Sequence, residues 1–376
     1  MSWKEVTIVS LRKEFIALAK LPGTNISELC RRYEISRKTG YKWLNRAQSE
    51  KVDAFQNQST RPHHSPRKTP KAIESLIIKT RLRYFEWGGR KLKKVLENEG
   101  HDGLPSPSTI TEILRRNNLL QTSSAQHQGP WKRFEHAHPN DLWQMDFKGP
   151  IRTHHGGYHA LTILDDHSRY SLGIEICQQQ TYRDTKAALT TVFRRSGLPN
   201  RMTMDNGNPW GNPHGRWTRF AVWLIDQSIG VSYSRPYHPQ TQGKDERFHR
   251  SLKAELLSRN HFKNADHLQE GCEDWRILYN QKRPHESLGM EVPISRYQPS
   301  NRSYQEVVAP FEYSGVDVVR SVNKVGVISY QGKRHKISEA FRGQKIGVRP
   351  TDIDGIVEVY YRHQRVARID LRANNV

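Results

Sequence analysis

The sequence predicts a multidomain chain: all-α helix-turn-helix domains at the front, a mixed α/β core in the middle, and a small SH3-like β-barrel at the end. Three observations predict it. The chain has 376 residues, too many for one ordinary domain. Its apolar period is helical to about residue 120, mixes strand-like and helical runs from 141 to 300, and then breaks into short Val- and Ile-rich runs. Its apolar content, 35%, is low for a globular chain and suits several small domains with large surfaces.

Charge narrows the partners. Sixty Lys and Arg face 38 Asp and Glu, a formal net charge of +22, and the pI is near 10.0. Such a balance argues for a polyanionic partner. No apolar run is long enough to span a bilayer, and the N-terminus lacks a signal-peptide core, so a cytoplasmic, nucleoid-associated protein without membrane contact is expected. Cys30, Cys177 and Cys272 are widely spaced, which disfavours both a disulfide framework and a structural zinc site. His63-His64 and His154-His155 have no cysteine partners and read as loop histidines.

Residues 1–48 read as a helix-turn-helix domain. Val6, Val9 and Phe15 begin one amphipathic helix, and Ile26, Leu29, Cys30 and Tyr33 recur at helical spacing. Ile35 sits in the turn and Ser36 is a good N-cap for a last helix to about Arg46. That helix offers Arg37, Lys38, Thr39, Tyr41 and Lys42 outward, with Trp43 and Leu44 inward. In this motif the second helix enters the major groove. Gly40 costs the helix roughly 1 kcal/mol of propensity, so it needs its packing. Residues 49–69 read as a Pro- and cation-containing linker.

Residues 70–120 read as a second helix-turn-helix domain, with or without a wing. Ile73, Leu76, Ile77 and Leu82 mark one helix, and Trp87-Gly88-Gly89-Arg90 turns into a second. Pro107-Ser108-Thr109 begins a third, with Arg115 and Arg116 outward. Residues 1–130 carry 24 Lys and Arg against 12 Asp and Glu, so this front section is net +12. Arg90, Arg115 and Arg116 join the candidate DNA contacts. Two tethered domains read a longer site than either alone. A linker at 121–140 follows.

The core spans 141–300. Leu142 to Phe147, Tyr158 to Leu164 and Ser171 to Ile176 read as successive antiparallel strands, with Arg201 to Met204 and Val231 to Tyr233 as two more. Helices are expected over Thr181–Arg195 and about Trp217–Gln227, then from about Lys244 and about His267. Beyond 301, Gln331-Gly332 and Asp354-Gly355 make turns between short strands, giving the barrel over 301–376. Lys333, Arg334, Lys336, Lys345 and Arg349 make either DNA or protein its partner.

Three carboxylates come from separate core elements: Asp146 on the first strand, Asp205 after the fourth, and Glu246 at the start of a helix. On so basic a chain they suggest a magnesium site acting on phosphodiesters. Magnesium prefers oxygen and takes one or two carboxylates plus waters and phosphate. Two ions roughly 3.5–4 Å apart can stabilise both the attacking and the leaving oxygen of an in-line displacement. Asp165 and Asp166 are the competing acids, but a turn into Ser168 and Arg169 accounts for them as residues bonding their own backbone. Along the helix, Glu246 shares a stripe with Arg250 and Lys253. Asp245 lies toward Leu252 at the helix start, in reach of the positive end of the dipole, and Glu255 falls on the surface.

Trp143-Gln144-Met145-Asp146-Phe147, Asp205-Asn206-Gly207, and His238-Pro239-Gln240 through Glu246-Arg247-Phe248-His249-Arg250 occur in an order and separation that resemble the DDE transposases of bacterial insertion sequences, whose core is that of retroviral integrases. The resemblance covers about Trp131 to Tyr297. The Asp205–Glu246 interval exceeds that of compact retroviral cores, with Asn208–Gly215 as surplus loop.

The resemblance implies a ribonuclease H-like core. It implies two Mg2+ ions (Mn2+ able to substitute) held by Asp146, Asp205 and Glu246. It implies cleavage at element ends followed by joining of the freed 3′-hydroxyl to target DNA, by a homo-oligomer assembled on double-stranded DNA. Lys244, Arg250 and Lys253 become candidate DNA contacts, and His238 a contact to DNA or the scissile phosphate. A non-catalytic DNA-binding regulator and a plain nuclease of the same fold are the alternatives.

Overall fold

The computed structural model describes residues 7–48, 54–57, 68–120, 135–211, 217–234 and 243–372. The chain divides into two compact units, residues 1–68 and 69–376.

The first unit holds α1 (Ile8–Ala19), α2 (Ile26–Arg32) and α3 (Arg37–Ala47), whose first turns are capped by the side chains of Thr7, Asn25 and Ser36. Phe15, Ile16, Leu29, Cys30 and Trp43 form its core. Gly40 explains itself here: a Cβ at this position would stand 2.5 Å from Cys30 Sγ and 3.2 Å from Phe15, so only glycine lets α3 approach so closely. Part of the expected linker is not a tether. Ala54 is buried, and the Arg12 guanidinium donates to the Phe55 carbonyl at 2.7 Å. The rest of 49–67 lies outside the described residues.

In the second unit, α4 (Lys71–Arg83), α5 (Gly89–Asn98) and α6 (Pro107–Arg116) close around Ile77, Trp87, Leu92, Leu96, Ile110 and Leu114. Buried Arg81 donates to the Trp87 and Leu119 carbonyls and ties the bundle's ends. No strand occurs among the described residues of 68–120. A wing following α6 would fall at 121–134, outside the described residues.

The core is a five-stranded sheet of order β3-β2-β1-β4-β5. It is built from β1 (Leu142–Thr153), β2 (Gly156–Asp165), β3 (Ser171–Cys177), β4 (Arg201–Met204) and β5 (Gly230–Tyr233). The first three strands run antiparallel, while β4 pairs parallel with β1, and β5 parallel with β4. Alternation of side chains decides the two faces. Trp143, Met145, Leu161 and Ile163 pack with α7 (Tyr182–Ser196) and α8 (Arg219–Asp226). Ala160, Leu164 and Ile174 pack instead with α9 (Gly243–Leu252) and α10 (Ala265–Gln281). Asp146 pairs with Thr162, whose hydroxyl reaches His249 of α9, so the first acid lies on the α9 face. Between α9 and α10, Lys253–Leu257 form a single π-helical turn.

The final region has the expected short strands, but a closed barrel is not shown among the described residues. Strands β6 (Val318–Ser321), β9 (Lys345–Pro350), β10 (Ile356–Tyr361) and β11 (Gln364–Asp370) form an open antiparallel sheet of order β11-β10-β9-β6. The pair β7 (Val327–Tyr330) and β8 (Lys333–Lys336) is a separate hairpin. The described strands do not close on themselves. The core covers part of their apolar surface instead: Phe341 packs on Trp217, the Trp217 indole N–H donates to the Val366 carbonyl at 2.8 Å, and the Tyr361 hydroxyl donates to Asp226 at 2.6 Å.

Candidate active site

Asp146 sits at mid-strand in β1, the sheet's central strand, paired with Thr162 of β2 and two residues past Gln144, the last residue of β1 in register with β4. Its Oδ1 accepts the Phe147 N–H at 2.8 Å. Burial pushes the Asp146 carboxyl up to about 6; the Phe147 N–H opposes this, and the nearby charges of Asp205 and Glu246 add to it. The three acids named from sequence are therefore electrostatic neighbours.

Asp205 follows β4 directly. Its Oδ1 accepts two donors, the Gly207 N–H at 3.0 Å and the Trp210 indole N–H at 2.6 Å. Trp210 was expected in a surplus loop. It is instead buried and stacked on Phe147, with ring centroids 5.0 Å apart and planes 8° from parallel. The neighbour of the first acid thus stacks on the residue that holds the second.

Glu246 lies in the first turn of α9 and is exposed, whereas Asp245 is 1% exposed with Oδ1 lacking a hydrogen-bond partner. Burial, joined by the charges of Asp146 and Asp166, raises the Asp245 carboxyl well above the usual range. Burial overrides the helix-dipole role expected for it. The surface role expected for Glu255 also fails. The π turn carries Glu255 toward α10, where it accepts from Arg283 Nε at 2.8 Å and Trp275 Nε1 at 3.2 Å.

The sequence reading missed two supporting groups. Thr162 lies opposite Asp146 on β2 and donates its hydroxyl to the Asp146 carbonyl at 3.0 Å. The same hydroxyl lies 2.8 Å from His249 Nε2 and, its proton being used, accepts from that nitrogen. His249 Nδ1 then turns a lone pair toward Asp146 Oδ2, 3.7 Å away. Burial, helped by Lys148, lowers the His249 imidazole to about 4, so it is neutral. The Thr162–His249 pairing spans 87 positions in sequence, and no local pattern signals it.

Asp165 behaves as the turn residue expected, accepting from Ser168 N–H at 2.8 Å and Ser168 Oγ at 2.6 Å. Asp166 does more. Fully buried, it accepts from His136 N–H at 2.8 Å and Gln144 Nε2 at 2.7 Å, and pairs with Lys244. Lys244, expected to face DNA, is thereby turned inward at the start of α9.

The other expected DNA contacts divide. Arg37, Lys38, Tyr41 and Lys42 are exposed on α3, while Thr39 is half-buried beside the Ser36 cap. Arg90 lies 3.7 Å from Glu286, Arg116 pairs with Glu74 at 2.7 Å, and Arg115 pairs with Glu112. Arg250 and Lys253 are exposed along α9 and the π turn. His238 lies outside the described residues.

Among the described residues, no three His, Cys, Asp or Glu side chains are grouped so as to hold a metal ion by themselves. The donor set nonetheless fits magnesium. Asp146 and Asp205 each commit Oδ1 to protein donors, which leaves Oδ2 of each and the exposed Glu246 carboxylate as hard oxygen ligands. A cation there would relieve the mutual repulsion that burdens Asp146.

Comparison with known proteins fits this geometry. Residues 136–239 and 227–293 match the integrase core domain, and residues 317–376 match the C-terminal domain of IS481 family transposases. These matches, to integrase and insertion-sequence transposase domains, support a DDE transposase of an insertion sequence. Residues 12–63 match a helix-turn-helix domain and residues 39–114 a homeodomain-like domain. It is 24% identical over 249 residues to an insertion element IS476 uncharacterized 39.2 kDa protein of Xanthomonas euvesicatoria, covering 64% of this chain and 69% of that protein. It is 22% identical over 230 residues to an insertion element IS407 uncharacterized 31.7 kDa protein of Burkholderia multivorans, covering 60% and 80%. Among solved structures, the HTLV-2 integrase catalytic core domain in complex with magnesium is similar at a TM-score of 0.34 and 16% identity, covering 43% of this chain and 99% of that one.

Proposed function

We propose that the chain binds the terminal repeats of a mobile DNA element, cleaves at the element ends and joins the freed 3′-hydroxyl to target DNA. The observation that carries this reading is the Trp210 bridge, which bonds Asp205 and stacks on Phe147 next to Asp146, with Glu246 near enough for its charge to act on the buried Asp146. Two magnesium ions, or manganese in their place, would be held by these three acids and would stabilise charge on the attacking and leaving oxygens.

The chain's own residues set the geometry. The strand and the Phe147 N–H fix Asp146. Gly207 and Trp210 fix Asp205. Glu246, exposed on the first turn of α9, closes the site from the helix side. The carboxylates hold metal and do not attack, so no covalent protein–DNA intermediate forms. The exposed face of α3, with Arg37, Lys38, Tyr41 and Lys42, reads element-end DNA, and Arg250 and Lys253 continue a basic surface from the third acid along the backbone. Two ends must be processed together, so a homo-oligomer assembles on double-stranded DNA.

The test is product analysis. The purified chain is incubated with magnesium, a labelled duplex ending in the element's terminal repeat, and a plasmid target. Label joined covalently to the plasmid is expected. Cleaved ends that never join would leave a plain nuclease, and binding without cleavage would leave a regulator.

A further inference from the structure

We propose that Trp210 is a positioning residue that sets the second acid against the first. The inference rests on the metal-dependent reading above. Three contacts place the indole. Its N–H donates to Asp205 Oδ1 at 2.6 Å. Its ring stacks on Phe147, the residue after Asp146. Its own carbonyl is held from behind by the Thr218 hydroxyl and the Tyr233 hydroxyl, both at 2.9 Å.

The consequence is geometric. Asp205 follows a four-residue strand, and its carboxylate would otherwise rotate freely about its side-chain bonds. With Oδ1 fixed by the indole and by the Gly207 N–H, Oδ2 is the oxygen left to a ligand. The Phe147 stack then fixes where that oxygen stands relative to the Asp146 carboxylate on the adjacent strand β1. Gly207 leaves room for the arrangement: a Cβ there would stand 3.0 Å from Asp205 Oδ2. Groups that orient a metal ligand in this way are typically worth about 10- to 100-fold in metal affinity or activity when removed.

Trp210→Phe keeps an aromatic ring on Phe147 and removes only the N–H donor. Two quantities are read in the full chain: the magnesium concentration that half-saturates cleavage of a labelled element end, and the concentration that half-saturates the magnesium-induced rise in Tm without DNA. Both are expected to rise about tenfold. DNA affinity should stay near the parent's, and each Tm rise is read against the same variant without metal. Tyr233→Phe, which loosens the loop from behind, should move both in the same direction by less, and it serves if Trp210→Phe does not fold.

Half-saturating concentrations within twofold of the parent in both variants would overturn the proposal. A lowered maximal rate at unchanged metal dependence would do the same, because it marks a scaffold role. If the parent itself cleaves nothing, the functional reading fails, yet the Tm titration still decides the role of Trp210.

Discussion

Asp245 and Glu246 are adjacent in sequence and opposite in surroundings. Asp245 is buried, which raises its carboxyl well above the usual range, while Glu246 faces solvent. Asp245→Asn changes a buried side chain that solvent does not reach and should retain most metal-dependent cleavage. Glu246→Gln should retain almost none. Rates at saturating magnesium on one DNA substrate compare them, and the reverse ranking would hand the third ligand to Asp245. Asp146 supplies a pH dependence. Its folded value, about 6, lies above the 3.8 of a free carboxyl. Ionising it therefore costs the metal-free native state stability, nothing below the lower value and up to roughly 3 kcal/mol above the higher one. A bound cation removes that cost. Magnesium should thus raise Tm at pH 7.5 and much less at pH 5, where the proton competes for the ligand. Equal rises at both pH values would take Asp146 out of the metal site.

At the scale of elements, α3 carries the clearest packing constraint. Gly40→Ala gains about 1 kcal/mol of helix propensity but puts a Cβ 2.5 Å from Cys30 Sγ. Overpacking of this kind costs about 1–3 kcal/mol, so a net loss of protection is expected at the α1–α3 amides in hydrogen exchange of the full chain. Increased protection would contradict the packing. The same helix marks how far sequence carries. Its cap, its inward Trp43 and its exposed cations follow from local spacing, and so do the positions of Asp146 within one strand and Asp205 just after another. What periodicity cannot carry is contact between distant residues. The Lys244–Asp166 pair spans 78 positions, so a lysine read as a DNA contact turned out to be an anchor. Helical stripes assume 3.6 residues per turn, so the π turn at Lys253–Leu257 misplaced Glu255. The terminal region shows a related limit: short strands and turns were legible, but whether they close depends on pairing between strands distant in sequence, and the described strands form an open sheet and a hairpin.

At the scale of the molecule, the terminal sheet and the core of the second unit share one apolar cluster, in which Trp223 and Phe220 of the core join Phe341, Val348 and Val359 of the sheet. Asp226 joins the two regions by accepting from both the Tyr361 hydroxyl and Arg362 Nε, the latter at 3.0 Å. Arg362→Ala should lower the stability of the second unit by about 1–3 kcal/mol, the usual loss for a part-buried bond to a charge. The effect should appear in the core's own unfolding transition, and a separate sheet transition moving alone would contradict a shared core. The central claim is that three carboxylates, each on its own element, make one metal-dependent site that is distinct from the DNA-reading helices. It is tested most directly by measuring end cleavage and end binding together for Asp146→Asn, Asp205→Asn and Glu246→Gln. The account predicts that each variant loses cleavage and strand transfer at every magnesium concentration while binding the element end as the parent does. Cleavage retained by any of the three, or by the parent with the metal chelated, would contradict it.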